Sequence, residues 1–250
     1  MDLEGQPAIV TGGSRGLGLA LVEDLVARRA RVTVVARDAG RLAEVRRRLG
    51  VSVVAGDMTD AALAGRLLEE LRPTVLILNA GASPALAPLH EQTWEGFTGV
   101  WETDVRAAFH WLQAALRLPL ARGARILVGS SGAAVGGSPL SGGYAGAKRM
   151  LWLLADYANG AAADLGLGIR FQALLPMQLV GETDLGRAAV DAYARRRGIT
   201  PDALLAAFGD PMPPRRYSEH VMAILTDPEL ESGTAFGIRG SGITPLQVRA

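Results

Sequence analysis

Tyr144 and Lys148, four residues apart in "YAGAK", have the types and the spacing to move a proton together. On a helix this spacing puts both side chains on one face. Lys148 is the only lysine among 26 lysines and arginines, so the pairing is not the by-product of a lysine-rich chain. A phenol holds its proton up to a pKa of about 10, and a neighbouring ammonium favours the phenolate. Arginine would not serve in that place: guanidinium is planar and effectively never deprotonated, whereas the ammonium is compact, with rotatable donors and an adjustable pKa. Such a tyrosine could give its proton to a carbonyl oxygen during a reduction, or take one from an alcohol in reverse. Taken alone, Y-x-x-x-K is a weak motif whose ordinary reading is a surface pair.

"TGGSRGLG", running from Thr11, admits two chemistries. Gly12-Gly13-Ser14-Arg15-Gly16 spells G-x-S-x-G, a strained turn that presents a nucleophilic serine. Gly12, Gly16 and Gly18 also make a loop whose backbone could lie against a phosphate. A nucleophile elbow needs a sheet laid down before it, with its acid and histidine later in the chain. Ser14 follows a single strand-like run, and although Asp104 and His220 could be nominated as partners, nothing local recommends them. The phosphate reading has strand, glycine turn and helix start in order, so backbone N–H groups at Gly16 and Leu17 would face a pyrophosphate. The spacing is TGxxxGxG rather than G-x-G-x-x-G. Ser14 then becomes a loop residue that at most hydrogen-bonds the bound phosphate compound.

These residues need a scaffold. Ala8–Thr11, Val32–Ala36, Val51–Ala55, Val75–Asn79, Ile126–Gly129 and Ile169–Leu175 read as buried strands, and Thr234–Gly237 as a candidate last strand. Leu17–Arg29, Arg41–Leu49, Ala61–Leu71, Thr93–Leu118 and Tyr144–Leu165 read as helices between them. The alternation predicts an α/β fold with a parallel sheet covered by helices on both faces. From Pro176 to Pro214 the rhythm breaks into glycines, prolines and two short helical patterns, which reads as a substrate-covering lid inserted near residues 177–216. No repeat or linker divides residues 1–250, so one domain is expected.

Bulk properties narrow the function. With 250 residues and 49% hydrophobic content the chain can bury a substantial core. A net charge of +1 offers no electrostatic case for nucleic acid or an anionic membrane. Arg46–Arg48 and Arg195–Arg197 read as solvated helix faces. There is no cysteine, and His90, His110 and His220 have no ligand spacing, so no metal site is expected. With neither a signal-peptide pattern nor an apolar run near the roughly 20 residues a span needs, a cytoplasmic protein acting on a small molecule is expected.

On the glycine loop, on "YAGAK" and on the motifs between them, the chain resembles the short-chain dehydrogenase/reductase family over nearly its whole length. The resemblance implies a single doubly wound Rossmann-type sheet, an oxidoreductase, and a nicotinamide cofactor held by Gly12, Ser14, Arg15, Gly16, Leu17 and Gly18. Asp57, with Met58 after it in "AGDMTD", matches the family's adenine-contacting aspartate. Asn79-Ala80-Gly81 matches its N-A-G motif beside the cofactor. Ser131, thirteen residues before Tyr144, lies where the family has its catalytic serine, with Ser130 as the neighbouring alternative; its hydroxyl would hold the substrate oxygen as charge develops. Tyr144 and Lys148 are then both catalytic and cofactor-contacting. The family also commonly forms dimers or tetramers through the long helices expected here at Thr93–Leu118 and Tyr144–Leu165.

The chain departs from that pattern at three places. Asp104 stands where the family carries a catalytic asparagine that helps hold a proton-relaying water. An ionised aspartate accepts hydrogen bonds without donating them and should raise the pKa of Lys148. The relay could tolerate it, turnover could fall or shift with pH, or catalysis could be lost; a cofactor-binding regulator or scaffold, and a lyase- or epimerase-type enzyme of the same family, are the alternatives to the oxidoreductase. Pro176-Met177 replaces the usual Pro-Gly beside the nicotinamide, which means either ordinary packing or a reshaped pocket. Thr183 resembles the carboxamide-contacting threonine but lies about two residues late.

Cofactor choice turns on the end of the second strand, where NAD-preferring relatives place an acid. Here Ala36 is followed by Arg37, which with Arg15 would suit the 2′-phosphate of NADP(H); Asp38 keeps NAD(H) as the less favoured alternative. The candidate pocket walls, Ser83–Leu86, Ala133–Leu140 and Met177–Val180, are apolar and glycine-rich, which points to a neutral, partly hydrophobic ketone or alcohol. Arg187, Arg195–Arg197 or Arg215–Arg216 could instead reach in toward an anionic substrate.

Overall fold

The computed structural model describes residues 1–118, 120–181 and 183–248. Eight strands form one sheet in the order β3-β2-β1-β4-β5-β6-β7-β8. They are β1 (Pro7–Thr11), β2 (Arg31–Ala36), β3 (Ser52–Ala55), β4 (Val75–Leu78), β5 (Arg125–Gly129), β6 (Arg170–Pro176), β7 (Ala235–Arg239) and β8 (Gly242–Leu246). The first seven run parallel, and β8 closes the edge as an antiparallel hairpin partner of β7. The central strands are continuous apolar runs, such as "VLIL" in β4 with all four residues buried, because both faces are covered.

One face carries α1 (Gly16–Ala27), α2 (Ala39–Leu49) and α10 (Pro214–Thr226), whose Leu21, Leu25, Leu42, Tyr217 and Val221 share a buried cluster with β1, β2 and β4. The other carries α3 (Ala61–Leu71), α5 (Arg106–Arg117) and α7 (Tyr144–Asp164), packed through Leu67, Trp111, Leu151 and Trp152. This is the doubly wound architecture expected from the alternation. Among the described residues no helix is long and apolar enough to cross a membrane.

Three features differ from the sequence-based expectation. The segment expected as one helix over Thr93–Leu118 is α4 (Trp94–Val100), a π-helical turn at Trp101–Val105 and α5. The apolar period continues across the turn, so the wider coil is silent in the sequence pattern. Strand β8 was not expected; its "GITPL" places Pro245 on an edge, where a missing ladder donor is tolerated. In the lid region α8 (Asp184–Arg197) is a full fourteen-residue helix, followed by α9 (Pro201–Phe208), while Pro214 already opens α10, which belongs to the body of the fold.

Candidate active site

Strand order reverses between β1 and β4, whose neighbours lead away in opposite directions. The loops leaving their carboxyl ends therefore diverge, and a crevice opens there. It is a cavity of about 1110 Å³ running from the glycine loop to α8.

The glycine loop forms one wall. Gly12, Ser14, Arg15, Gly16 and Leu17 line the cavity at the start of α1. Arg15 occupies the N-cap position with no side-chain cap, and the first turn carries no acidic residue. A twelve-residue helix whose leading N–H groups lack a side-chain acceptor and point at a cavity suits an anionic pyrophosphate, so the residues present fit a dinucleotide. Gly18 was expected to contact the cofactor and does not line the cavity. A Cβ there would lie 2.2 Å from the Gly12 carbonyl oxygen and 2.6 Å from Asn79 Nδ2, so this glycine lets α1 pack on the β1 and β4 ends. Gly12 itself takes φ +68, which favours glycine.

Arg37, Asp57 and Met58 line the same cavity. Asp57 Oδ1 accepts from the backbone and hydroxyl of Thr59, both at 2.9 Å. These two bonds hold its carboxyl below the usual range; slight burial opposes them and the Arg37 charge helps. The Met58 carbonyl is held by Trp111 Nε1 at 3.0 Å. Asp38 caps α2 through the Arg41 N–H at 3.0 Å and pairs with the Arg41 guanidinium at 3.2 Å. Asn79, Ala80 and Gly81 line the floor, with the N–H groups of Asn79 and Ala80 donating to Thr11 Oγ1 at 3.1 and 3.2 Å.

Ser131, Tyr144 and Lys148 reach the same cavity from β5 and α7. Ser130 is committed elsewhere: its buried hydroxyl donates to the Lys148 carbonyl at 2.7 Å. Ser131 Oγ accepts from the Ala133 N–H at 3.2 Å, which fixes the oxygen and leaves its proton to donate. Trp101 Nε1 donates to the Gly143 carbonyl at 3.2 Å and so ties the start of α7 to the π-turn. Tyr144 and Lys148 stand one turn apart, with Nζ 5.5 Å from the phenol ring centroid.

Asp104 lies behind this group, 2% exposed, within the π-turn. Its Oδ1 accepts from the Ala82 N–H at 2.7 Å, and its Oδ2 lies 2.9 Å from Lys148 Nζ. It does not line the main cavity; it acts on the site through Lys148. Nζ also donates to the Gly129 carbonyl at 3.4 Å. Burial pulls the Lys148 ammonium down, but the Asp104 charge, the Tyr144 phenol and the hydrogen bond to Asp104 together outweigh it and hold its pKa above the ordinary 10.5.

Residues of the segment from Pro176 to Val190 line the far side of the cavity. Pro176 lines the cavity, and Met177 packs against β7 beside Gly237 and the core, which is ordinary packing at a position that also borders the cavity. Thr183 lines it too, while its hydroxyl caps α8 by accepting from the Gly186 N–H at 3.0 Å. Arg15 is ion-paired with Asp184 at the first turn of α8, and Asp184 also holds Arg187. Of the other arginines considered for an anionic substrate, Arg195–Arg197 sit at the exposed end of α8, and Arg215 and Arg216 pair with Glu219 on α10; none lines the cavity.

Ser138 falls in the pocket wall expected at Ala133–Leu140, but sequence reasoning missed Tyr193 and the pairing of the two, which both line the cavity and stand 3.0 Å apart through their hydroxyls. They are 55 residues apart in the chain, so only the path of the lid reveals them. Among the described residues no group of three or more His, Asp or Glu side chains is placed to hold a metal.

The family model described as short chain dehydrogenase matches residues 6–192. A tropinone reductase homolog of Arabidopsis thaliana is 35% identical over 165 residues, 60% of this chain, and the chain spans 61% of that relative's length. An oxidoreductase of Sarocladium schorii is 30% identical over 209 residues, 79% of this chain and 82% of that one. The crystal structure of an NAD+-bound xylitol dehydrogenase has the same fold, with a TM-score of 0.82 over 94% of this chain and 97% of that one, at 20% identity.

Proposed function

The chain belongs to the short-chain dehydrogenase/reductase family, and on that premise we propose that it interconverts a carbonyl and an alcohol on a small, neutral, partly hydrophobic substrate with NADP(H). The observation that carries this reading is the convergence of Ser131, Tyr144 and Lys148 on one cavity, opposite the uncapped start of α1.

Nicotinamide, when bound, exchanges hydride with the carbonyl carbon. The protein's residues do the rest. Tyr144 gives its proton to the carbonyl oxygen in reduction and takes it back in oxidation. Ser131 donates a hydrogen bond to the same oxygen as charge develops. Lys148 is ion-paired with Asp104, donates to the Gly129 carbonyl, and favours the phenolate by its charge. Asp104 is a positioning residue, because it touches neither the cavity nor a reacting atom.

Gly12, Ser14, Gly16 and Leu17 would hold the pyrophosphate; Asp57 and Met58 the adenosine end; Asn79, Ala80, Gly81, Pro176 and Thr183 the nicotinamide half. Arg15 and Arg37 would take the 2′-phosphate. The occupied carboxylate of Asp38 favours NADP(H) over NAD(H), since a capping, ion-paired aspartate is poorly placed to accept from a ribose. Support for a neutral substrate comes from the apolar lining at Leu86, Met177, Leu179, Val180 and Leu185 and from the absence of Arg195–Arg197, Arg215 and Arg216 from it, although Arg187 and Arg239 do line the cavity.

The test is loss of NADPH absorbance with a panel of neutral ketones, wild type against Tyr144→Phe. Turnover that falls about 10²–10⁴-fold in the variant, with NADPH binding kept, supports the reading. Binding without oxidation across the panel would favour a second reading, a cofactor-binding regulator, for which the Asp104–Lys148 pairing is the motivating feature. Assembly into dimers or tetramers through α5 and α7 would cover Phe109 and Tyr157, which are 48% and 59% exposed, and sedimentation would show it.

A further inference from the structure

Beyond the reacting carbonyl, the cavity holds a second polar point. Asp184, at the first turn of α8, meets the cofactor loop through Arg15. Tyr193 lies nine residues further along the same helix, about 14 Å at 1.5 Å per residue, and so stands at the end of the cavity away from the glycine loop. There its hydroxyl meets that of Ser138 at 3.0 Å.

Both partners are held in place. The Ser138 carbonyl accepts from the N–H and the hydroxyl of Ser141, each at 3.1 Å, and the Ser141 carbonyl accepts from the Tyr144 N–H at 3.1 Å. Ser138 is therefore tied by two short turns to the helix start that carries Tyr144. The Tyr193 ring packs with Val190, Ala194 and Leu204. The cavity wall nearby is apolar, with Leu185, Val190 and Leu204 from the lid and Met177 from the end of β6.

We propose that Ser138 and Tyr193 form a two-hydroxyl subsite that recognises a second, neutral oxygen function on the substrate, a hydroxyl or a carbonyl, remote from the carbon that reacts. Two hydroxyls carry two O–H donors, and their mutual bond uses one. One donor and several lone pairs remain for the cavity, enough for a group that accepts, or both accepts and donates. The pair is itself uncharged, which suits a neutral group better than a carboxylate or phosphate, whose recognition calls for a cation in contact with it. The substrate class this selects is a hydroxyketone or diketone, and the corresponding diol in the oxidative direction. This deepens the proposed carbonyl chemistry and rests on it.

The test compares 4-hydroxycyclohexanone with 4-methylcyclohexanone, near-equal in size, as the ratio of their kcat/KM values with NADPH. The holoprotein is also titrated calorimetrically with cyclohexane-1,4-diol and 4-methylcyclohexanol in the presence of NADP+. Wild type should favour the oxygen-bearing probe by about tenfold, one hydrogen bond's worth of discrimination in a partly buried site. Tyr193→Phe and Ser138→Ala should each bring the ratio toward unity, and the double variant should go no further, because the two hydroxyls serve one ligand group. No preference in wild type, or variants that lose both probes in proportion so that the ratio survives, would overturn the proposal and leave the pair as a fastener between lid and body. If neither ketone is reduced, the oxidoreductase reading fails on its own, and the calorimetric ratio still decides the subsite; no measurable diol binding counts against it.

Discussion

The carboxylate of Asp104 lies 2.9 Å from the ammonium of Lys148, and both side chains are almost wholly buried, 1% and 8% exposed. A buried charge with its partner removed is costly, whereas the pair together is nearly neutral to stability. Asp104 therefore does two things at once. It keeps the only lysine charged where burial would discharge it, and through Ala82 it holds the loop after β4 against the π-turn.

Asp104→Asn keeps the shape and an acceptor for the Ala82 N–H but leaves the Lys148 charge without a counter-ion. A loss of about 3 kcal/mol is expected at neutral pH, or roughly 10 °C in Tm for a chain of this size. The folded pKa of Lys148 is raised, so the stabilisation is fully present below the ordinary lysine value of 10.5 and is lost as pH rises through the higher folded value. The gap between wild type and variant should accordingly narrow in alkaline melts. A variant as stable as wild type at pH 7 would show that the buried Lys148 does not need Asp104 as its counter-ion.

The same substitution should move the pH profile of ketone reduction. Without the carboxylate, burial is the dominant influence left on Lys148, and it disfavours the charged form. The alkaline limb, where that charge is lost, is expected at lower pH in Asp104→Asn than in wild type. Profiles of kcat/KM with NADPH saturating would read it. Superimposable alkaline limbs would mean that Asp104 does not tune the site.

Much of this arrangement was legible in the chain, for reasons that also mark the boundary. Strands such as Val75–Leu78 are visible because burial on both faces demands unbroken apolar runs. Tyr144 and Lys148 share a helix turn, and a spacing of four survives any detail of packing. Asp104 was readable as an acid near Lys148, but not the π-turn that aims it, since one wide turn leaves the apolar period intact. Gly18 looked like a cofactor contact because a glycine's role depends on which backbone it faces. Arg15 with Asp184, 169 residues apart, and Ser138 with Tyr193 depend on where the lid lands, and no local pattern encodes that.

Gly18→Ala tests the helix-packing role directly. Its new methyl would press on the Gly12 carbonyl of the glycine loop and on the Asn79 amide just after β4. Overpacking of this kind costs about 1–3 kcal/mol, and the displaced loop should also bind NADPH less tightly. Urea unfolding and fluorescence titration would measure the two losses. Weakened NADPH binding without any loss of stability would instead point to direct contact between Gly18 and the cofactor.

Arg15 presents a competition that magnitudes decide. Its guanidinium is held by Asp184, but both side chains are more than half exposed, and exposed pairs of this kind are worth about 0–1 kcal/mol. A charge-assisted bond to a phosphate contributes about 1.5–3 kcal/mol, so a 2′-phosphate should draw Arg15 away from Asp184, and Arg37 lines the same cavity. Arg15→Ala with Arg37→Ala should weaken NADPH binding by roughly a hundredfold while NADH changes by no more than about threefold. Asp184→Ala alone should move the other way and tighten NADPH by a few-fold at most, since it frees Arg15 from its rival. Titrations of both cofactors against the three variants give the result. Equal losses for NADPH and NADH in the arginine variant would remove the assignment of the 2′-phosphate site, and weaker NADPH binding in Asp184→Ala would show that the aspartate positions Arg15 instead of competing for it.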